Sequence, residues 1–147
     1  MAFRFALESV LRLRVSYERQ EQARLELATQ HLYAAREKCA VLKKEQSALE
    51  ANFRTTMASG MDASELHSYL SSKLGLEVAE AEAARAEAGA SKLWNEQRTK
   101  FLRARQDREV IASIRLRQHQ EYVVEQNRKE QQQIDDLFAM RRIQSNG

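Results

Sequence analysis

The side chains best suited to catalysis or metal binding are few and far apart in this sequence of 147 residues. None of the three histidines, His31, His67 and His119, has a second His or Cys three or four residues away, the spacing that puts two ligands on one helical face. Cys39, the single cysteine, lies about 12 Å of helix rise from His31, so these two do not share a metal ion.

Sequence signatures of enzymes are missing as well. There is no glycine-rich phosphate loop, no GxSxG nucleophile motif and no HExxH zinc motif. Glu80 and Glu82 point to different faces of a helix, so they do not form an acid–base pair. We therefore predict a protein that is not an enzyme, with no catalytic residue, metal, cofactor or small-molecule substrate.

The composition is that of long helices. Charged residues make up 31% of the chain, aromatic residues only 7%, and proline is absent although average usage would predict about seven. A thin seam between two helices needs far less apolar surface than a globular core. The lone cysteine excludes a disulfide framework and fits a reduced, cytoplasmic compartment. The charged residues in 1–13 argue against a signal peptide or membrane span.

Residues 55–65 interrupt the helix-favouring sequence with Thr, Ser and the first glycine, Gly60. Asp62 and Glu65 fit a capping box at the start of a second helix. We predict one all-α domain over residues 1–147, a long two-helix antiparallel coiled-coil hairpin with a short helical segment near the bend.

The expected helices cover residues 3–56 and 76–141, with the bend and the short helix over 57–75. Gly75 either ends that short helix or lies inside a continuous second helix. Residues 66–74 thus either join the second long helix, which gives two helices in all, or form a separate third helix.

Apolar residues at coiled-coil spacing predict the seam of the first helix. They run as Leu25, Ala28, Leu32, Ala35, Cys39, Leu42, Gln46, Leu49 and Phe53. Cys39 is expected there as a small hydrophobic residue. The seam of the second helix is expected at Leu76, Ala79, Ala83, Ala86, Ala90, Leu93 and Gln97. It continues less cleanly through Phe101, Ala104, Arg108, Ile111, Ile114 and Gln118.

The expected bend sets a register between the two helices. In it Leu32 faces Phe101, Leu25 faces Arg108 and Leu11 faces Tyr122, which leaves residues 134–147 without a partner. The first seventeen residues are apolar on more than one face, so they either fray or are covered by a partner. Both chain ends are therefore expected to offer apolar surface beside arginines.

The first residues, Phe3-Arg4-Phe5-Ala6-Leu7-Glu8-Ser9-Val10-Leu11, and the run Glu130-Gln131-Gln132-Gln133-Ile134-Asp135-Asp136-Leu137 carry a resemblance. Together with the length, the break near residue 60 and the region of Tyr69, they resemble the FliJ family, small coiled-coil components of the bacterial flagellar export apparatus. The resemblance covers nearly the whole chain.

The resemblance implies a non-enzymatic coiled coil similar to the stalk of a rotary ATPase. Its end with both termini would enter the hexameric export ATPase and promote its assembly and activity. It would also bind the cytoplasmic domain of the export gate and the export chaperones, in the cytoplasm at the inner face of the membrane. The implied ATPase-ring contacts are Phe5, Leu7, Leu11, Arg14, Ile134, Leu137, Phe138 and Arg141. The implied export-gate contacts are Leu42, Glu45, Leu49, Ser72, Leu76 and Ala79.

Three alternatives share this architecture. The first is the equivalent stalk of a virulence-type secretion system. The second is a coiled coil that binds nucleic acid through Arg103, Arg105, Arg108, Arg115 and Arg117, although acidic residues lie among these arginines and aromatic residues for base stacking are sparse. The leading prediction includes no nucleic acid. The third is a scaffold that self-associates through its apolar ends.

Overall fold

The computed structural model describes residues 2–147, and this part of the chain contains two long helices and no strand. Helix α1 spans Glu8–Ser59 and helix α2 spans Ala63–Ser145. The two helices pack against each other as an antiparallel hairpin, so the predicted all-α class is confirmed.

A tight turn over residues 60–62 connects the helices. Gly60 adopts a positive φ of 96°, which a residue without Cβ reaches at no steric cost, and its amide donates to the Met57 carbonyl at 3.3 Å. The Asp62 carboxylate accepts a hydrogen bond from the Glu65 amide at 2.8 Å, as expected of the N-cap in the predicted capping box. The turn is therefore built by the predicted residues.

The bend is much shorter than the expected stretch of 57–75. Helix α1 continues to Ser59, and residues 66–74 belong to α2, which passes through Gly75 without interruption. A single glycine costs a helix about 1 kcal/mol, and the good helix formers around it outweigh that cost. Of the two alternatives, the continuous second helix is therefore the one observed. This helix also ends later than the expected residue 141.

The chain forms two compact units. Unit 2 comprises Gln20–Leu102 and has an apolar seam, in which Leu32, Leu42 and Ala83 are buried. The predicted seam of α1 is confirmed, because its remaining members in this unit are all half-buried. On α2, however, Ala86 and Leu93 are exposed, and Glu87 and Trp94 occupy the seam instead.

Contacts across unit 2 show that the expected register was wrong by about three helical turns. The Trp94 indole N–H donates to the Thr29 hydroxyl at 2.9 Å, and Arg36 lies 3.5 Å from the Glu87 carboxylate. Leu32, which lies between Thr29 and Arg36, therefore faces this stretch of α2 and not Phe101. The error follows from the bend, because shortening the turn moves every residue of α2 relative to α1.

Unit 1 comprises Met1–Arg19 and Arg103–Gly147. Residues 2–7 are not helical, so α1 begins five residues later than predicted. Phe5 is buried. The Phe3 ring meets the His119 ring edge-on, with 5.1 Å between the ring centroids, and its centroid lies 5.5 Å from that of the Tyr122 ring. The chain itself thus covers both phenylalanines. Tyr122 meets Phe3 and not Leu11.

The seam of unit 1 contains paired charges. Arg108 forms an ion pair with Glu18 rather than facing Leu25, and both side chains are half-buried. Arg115 lies 3.1 Å from Glu8, in a more exposed ion pair. Polar residues that interrupt the apolar pattern of α1 therefore meet polar residues of α2. Neither helix of the described chain is long and apolar enough to cross a membrane.

Candidate partner-binding surfaces

The last part of α2 has no helix packed against it. Gln126 is the last half-buried residue, and every residue from 127 to 147 is exposed. We call residues 127–145 the C-terminal segment. It begins about two turns earlier than the overhang of 134–147 that the sequence predicted. The difference follows from the corrected register.

Large apolar side chains remain uncovered on the C-terminal segment. Ile134, Leu137 and Phe138 are 45%, 59% and 64% exposed. With Arg141 they stand at positions i, i+3, i+4 and i+7, which places all four on one helical face, where they line a shallow groove. This spacing is typical of helices that insert into an apolar groove of another protein. All four were predicted as ATPase-ring contacts.

The predicted ring contacts near the N-terminus lie in different surroundings. Phe5 is buried within unit 1, and Leu11 is half-buried. Arg14 lies 3.4 Å from the Asp107 carboxylate, with its side chain 41% exposed. Leu7 is the most exposed apolar member of this group, at 37%. The structure therefore does not bring the eight predicted residues together on one surface.

The predicted export-gate contacts divide between the seam and the surface. Leu42 is buried, and Leu49, Leu76 and Ala79 are half-buried against the other helix. Glu45 and Ser72 are exposed. A partner that approaches the intact hairpin meets these last two side chains fully and the other four only at their edges.

The sequence analysis did not predict an exposed apolar ridge in unit 2. Leu66, Leu70, Leu74 and Val78 follow one another at four-residue spacing on α2, and each is at least 42% exposed. We call these four residues the leucine ridge. The nearby Tyr69 ring instead stacks on Phe53, with 3.9 Å between the ring centroids. The four-residue spacing was visible in the sequence, but the register that decides which face is covered was not.

A family model described as "Flagellar FliJ protein" matches residues 3–147. The chain belongs to the FliJ family. No curated protein and no solved structure matches it. Membership in the FliJ family links the chain to flagellar protein export and agrees with a non-enzymatic role.

The arginine group of this FliJ-family chain, suggested above for nucleic acid, is partly neutralised. Arg105 pairs with Glu109 at 3.0 Å, and Arg115 pairs with Glu8 at 3.1 Å. Arg108 pairs with Glu18. Since phosphate binding depends on unpaired positive charge, these ion pairs weaken the case for a nucleic-acid surface.

Cys39 lies half-buried on the seam, as predicted. Burial raises the pKa of its thiol, and a hydrogen bond to Glu87 raises this pKa further. A thiol with a raised pKa holds less of the thiolate that reacts with oxidants and metals. Among the described residues, no three His, Cys, Asp or Glu side chains are placed to share a metal ion.

Proposed function

We propose that this chain is the stalk of the flagellar export ATPase. In this proposal the C-terminal segment enters the central pore of the hexameric ring and promotes ring assembly and ATP hydrolysis. The chain works in the cytoplasm at the inner face of the membrane. The family match names the flagellar system, which favours it over a virulence-type system.

The observation that carries this proposal is the uncovered apolar face of the C-terminal segment. Its main residues, Ile134, Leu137 and Phe138, are exposed without an intramolecular partner helix. Arg141 borders the face and adds a positive charge, which would favour binding to a ring surface that carries acidic residues. An apolar stripe with few charges would bind the ring reversibly, which a stalk needs if the ring is to change conformation around it.

The N-terminal residues have a supporting role in this proposal. Phe5, Leu11 and Arg14 hold the end of the hairpin together, while Leu7 is free to touch the ring. The charged seam of Glu8, Glu18, Arg108 and Arg115 fixes the register and so determines how much of α2 projects beyond the hairpin.

The ATPase activity of the purified cognate enzyme tests this proposal. The double variant Leu137→Asp with Phe138→Asp should abolish stimulation, because two charges replace the centre of the apolar face. A control is Leu93→Asp, which makes the same kind of change at an exposed position of unit 2 outside the proposed binding surfaces. Full stimulation by the double variant, with helix content unchanged by circular dichroism, would exclude the C-terminal segment as the ring contact.

We also propose that the gate contact uses the exposed residues of unit 2. The cytoplasmic domain of the export gate would meet Glu45, Ser72 and the leucine ridge, while Leu42, Leu49, Leu76 and Ala79 support this surface from the seam. Export chaperones complete the proposed set of partners, and the family match is the support for them.

Binding of the purified gate domain, measured by calorimetry, tests the gate surface. Leu70→Asp with Leu74→Asp should weaken binding at least tenfold, because the ridge would lose its apolar centre. Leu27→Asp is the control, since Leu27 is similarly exposed on α1 of the same unit. Equal loss in both variants would show that the ridge has no special role.

A further inference from the structure

The C-terminal segment has a second exposed face beside the proposed ring contact. Asp135, Phe138, Ala139 and Arg142 stand at positions i, i+3, i+4 and i+7, so they share one side of the helix, and all are exposed. A shallow groove on this side is lined by Asp135, Phe138, Ala139, Arg142, Ile143 and Asn146. We call it the Asp135–Arg142 face.

The charges on this face are complementary to those of an inverted copy of the same face. Along the chain the order is acidic, apolar, apolar, basic. If a second copy lies antiparallel, with a twofold axis midway between Phe138 and Ala139, Asp135 of each copy faces Arg142 of the other. Phe138 then meets Phe138 of the second copy at the centre. A parallel arrangement would place Asp135 against Asp135, so the order of charges selects the antiparallel pair.

The helix leaves enough room for this pairing. The midpoint of the face lies about 25 Å of helix rise beyond Tyr122, where the chain still packs against Phe3. Helix α2 ends at Ser145, so an antiparallel copy extends only about 10 Å back from the midpoint. The second copy therefore ends well before the paired part of the hairpin.

We propose that the C-terminal segment binds a second copy of this chain, antiparallel, through the Asp135–Arg142 face. The contact covers about four helical turns and buries less than about 1,000 Å² in total, which is below the range of stable complexes. The dimer is thus weak and reversible, with a dissociation constant on the order of 100 μM.

The dimer has a consequence for the ATPase contact. Phe138 belongs both to the Asp135–Arg142 face and to the proposed ring contact, so a copy engaged in the dimer cannot present it to the ring. The dimer would therefore be a ring-free form that dissociates on binding. This consequence rests on the proposed function, whereas the dimer itself does not.

Sedimentation equilibrium of the full chain, from micromolar to millimolar concentration, measures the dimer directly. Asp135→Arg and Arg142→Asp should each weaken association at least tenfold, because each places like charges opposite one another twice. The double variant should recover the affinity of the original chain. An equimolar mixture of the two single variants should associate as well, since every acidic position then faces a basic one.

The control is Asp136→Arg, which makes the same charge change one residue outside the face and should alter association less than about threefold. The proposal is overturned if the original chain stays monomeric up to millimolar concentration. It is also overturned if the single variants associate as the original chain does, or if their mixture does not associate. ATPase stimulation is a separate measurement, so failure of the dimer leaves the proposed function standing, and the reverse also holds.

Discussion

Helix α2 contains two stretches of similar helical sequence that have opposite surroundings. In unit 2 its seam side chains, such as Ala83 and Trp94, lie against α1. In the C-terminal segment Leu137 and Phe138 point into solvent. The apolar residues of the first stretch stabilise the hairpin, and those of the second can only contribute energy when something binds. The difference is set by where α1 begins and by the position of the turn.

The largest expected effect compares one substitution in both surroundings. Leu32→Ala removes a buried side chain and should lower the free energy of unfolding by about 3 kcal/mol, through lost burial and the cavity that remains. Leu137→Ala removes an exposed side chain and should change this free energy by less than about 0.5 kcal/mol. Urea denaturation followed by circular dichroism measures both.

In the ATPase assay the variant with the larger loss should be Leu137→Ala, the reverse of their order in stability. Leu137→Ala should reduce stimulation, while Leu32→Ala should keep it at temperatures where the hairpin remains folded. If Leu137→Ala destabilised the chain as much as Leu32→Ala, the C-terminal segment would have an intramolecular partner. The contrast between the covered seam of unit 2 and an uncovered C-terminal segment would then be wrong.

A smaller effect is expected in the charged seam of unit 1. Glu18→Ala leaves the half-buried Arg108 without its carboxylate, which should cost about 2 kcal/mol of stability. Asp107→Ala breaks a much more exposed ion pair with Arg14 and should cost less than about 1 kcal/mol. Thermal unfolding of the two variants in parallel measures the difference.

Replacing both Glu18 and Arg108 separates the cost of an unpaired charge from the contribution of the ion pair itself. Glu18→Leu with Arg108→Leu should recover most of the stability, since an apolar pair fits the seam. We expect it to weaken the register, which amide hydrogen exchange at residues 115–126 would detect as faster exchange. Equal costs for Glu18→Ala and Asp107→Ala would contradict the distinction between half-buried and exposed ion pairs.

The sequence predicted the features that depend on local chemistry. The capping residue Asp62, the glycine of the turn and the three- and four-residue spacing of α1 each have a short-range cause, and the structure contains all three. What failed depends on long-range geometry. The interpretation of Gly75 as the end of a short helix is wrong, and it makes the expected bend too long. Because register is counted from the turn, one local error displaced every pair across the hairpin.

The candidate sites follow the same rule. Leu137 and Phe138 were predicted to be uncovered because they lie so far along the chain that even the wrong register left them unpaired. Phe5 was expected at the surface because no periodic pattern shows that residues 2–7 leave the helix and pack onto unit 1. The leucine ridge was missed because periodicity alone does not say which of two apolar faces the partner helix covers.

The smallest expected effect concerns the turn on which the register depends. Gly60→Ala should lower stability by about 1 kcal/mol, because alanine at a φ of 96° is strained although nothing lies within 4 Å of the added Cβ. Gly60→Asn should cost less, since asparagine tolerates positive φ better. Both variants should leave ATPase stimulation unchanged below the unfolding temperature, since neither substitution moves the turn along the chain and the C-terminal segment therefore stays exposed. Equal stability of the two variants would show that backbone strain at Gly60 does not contribute.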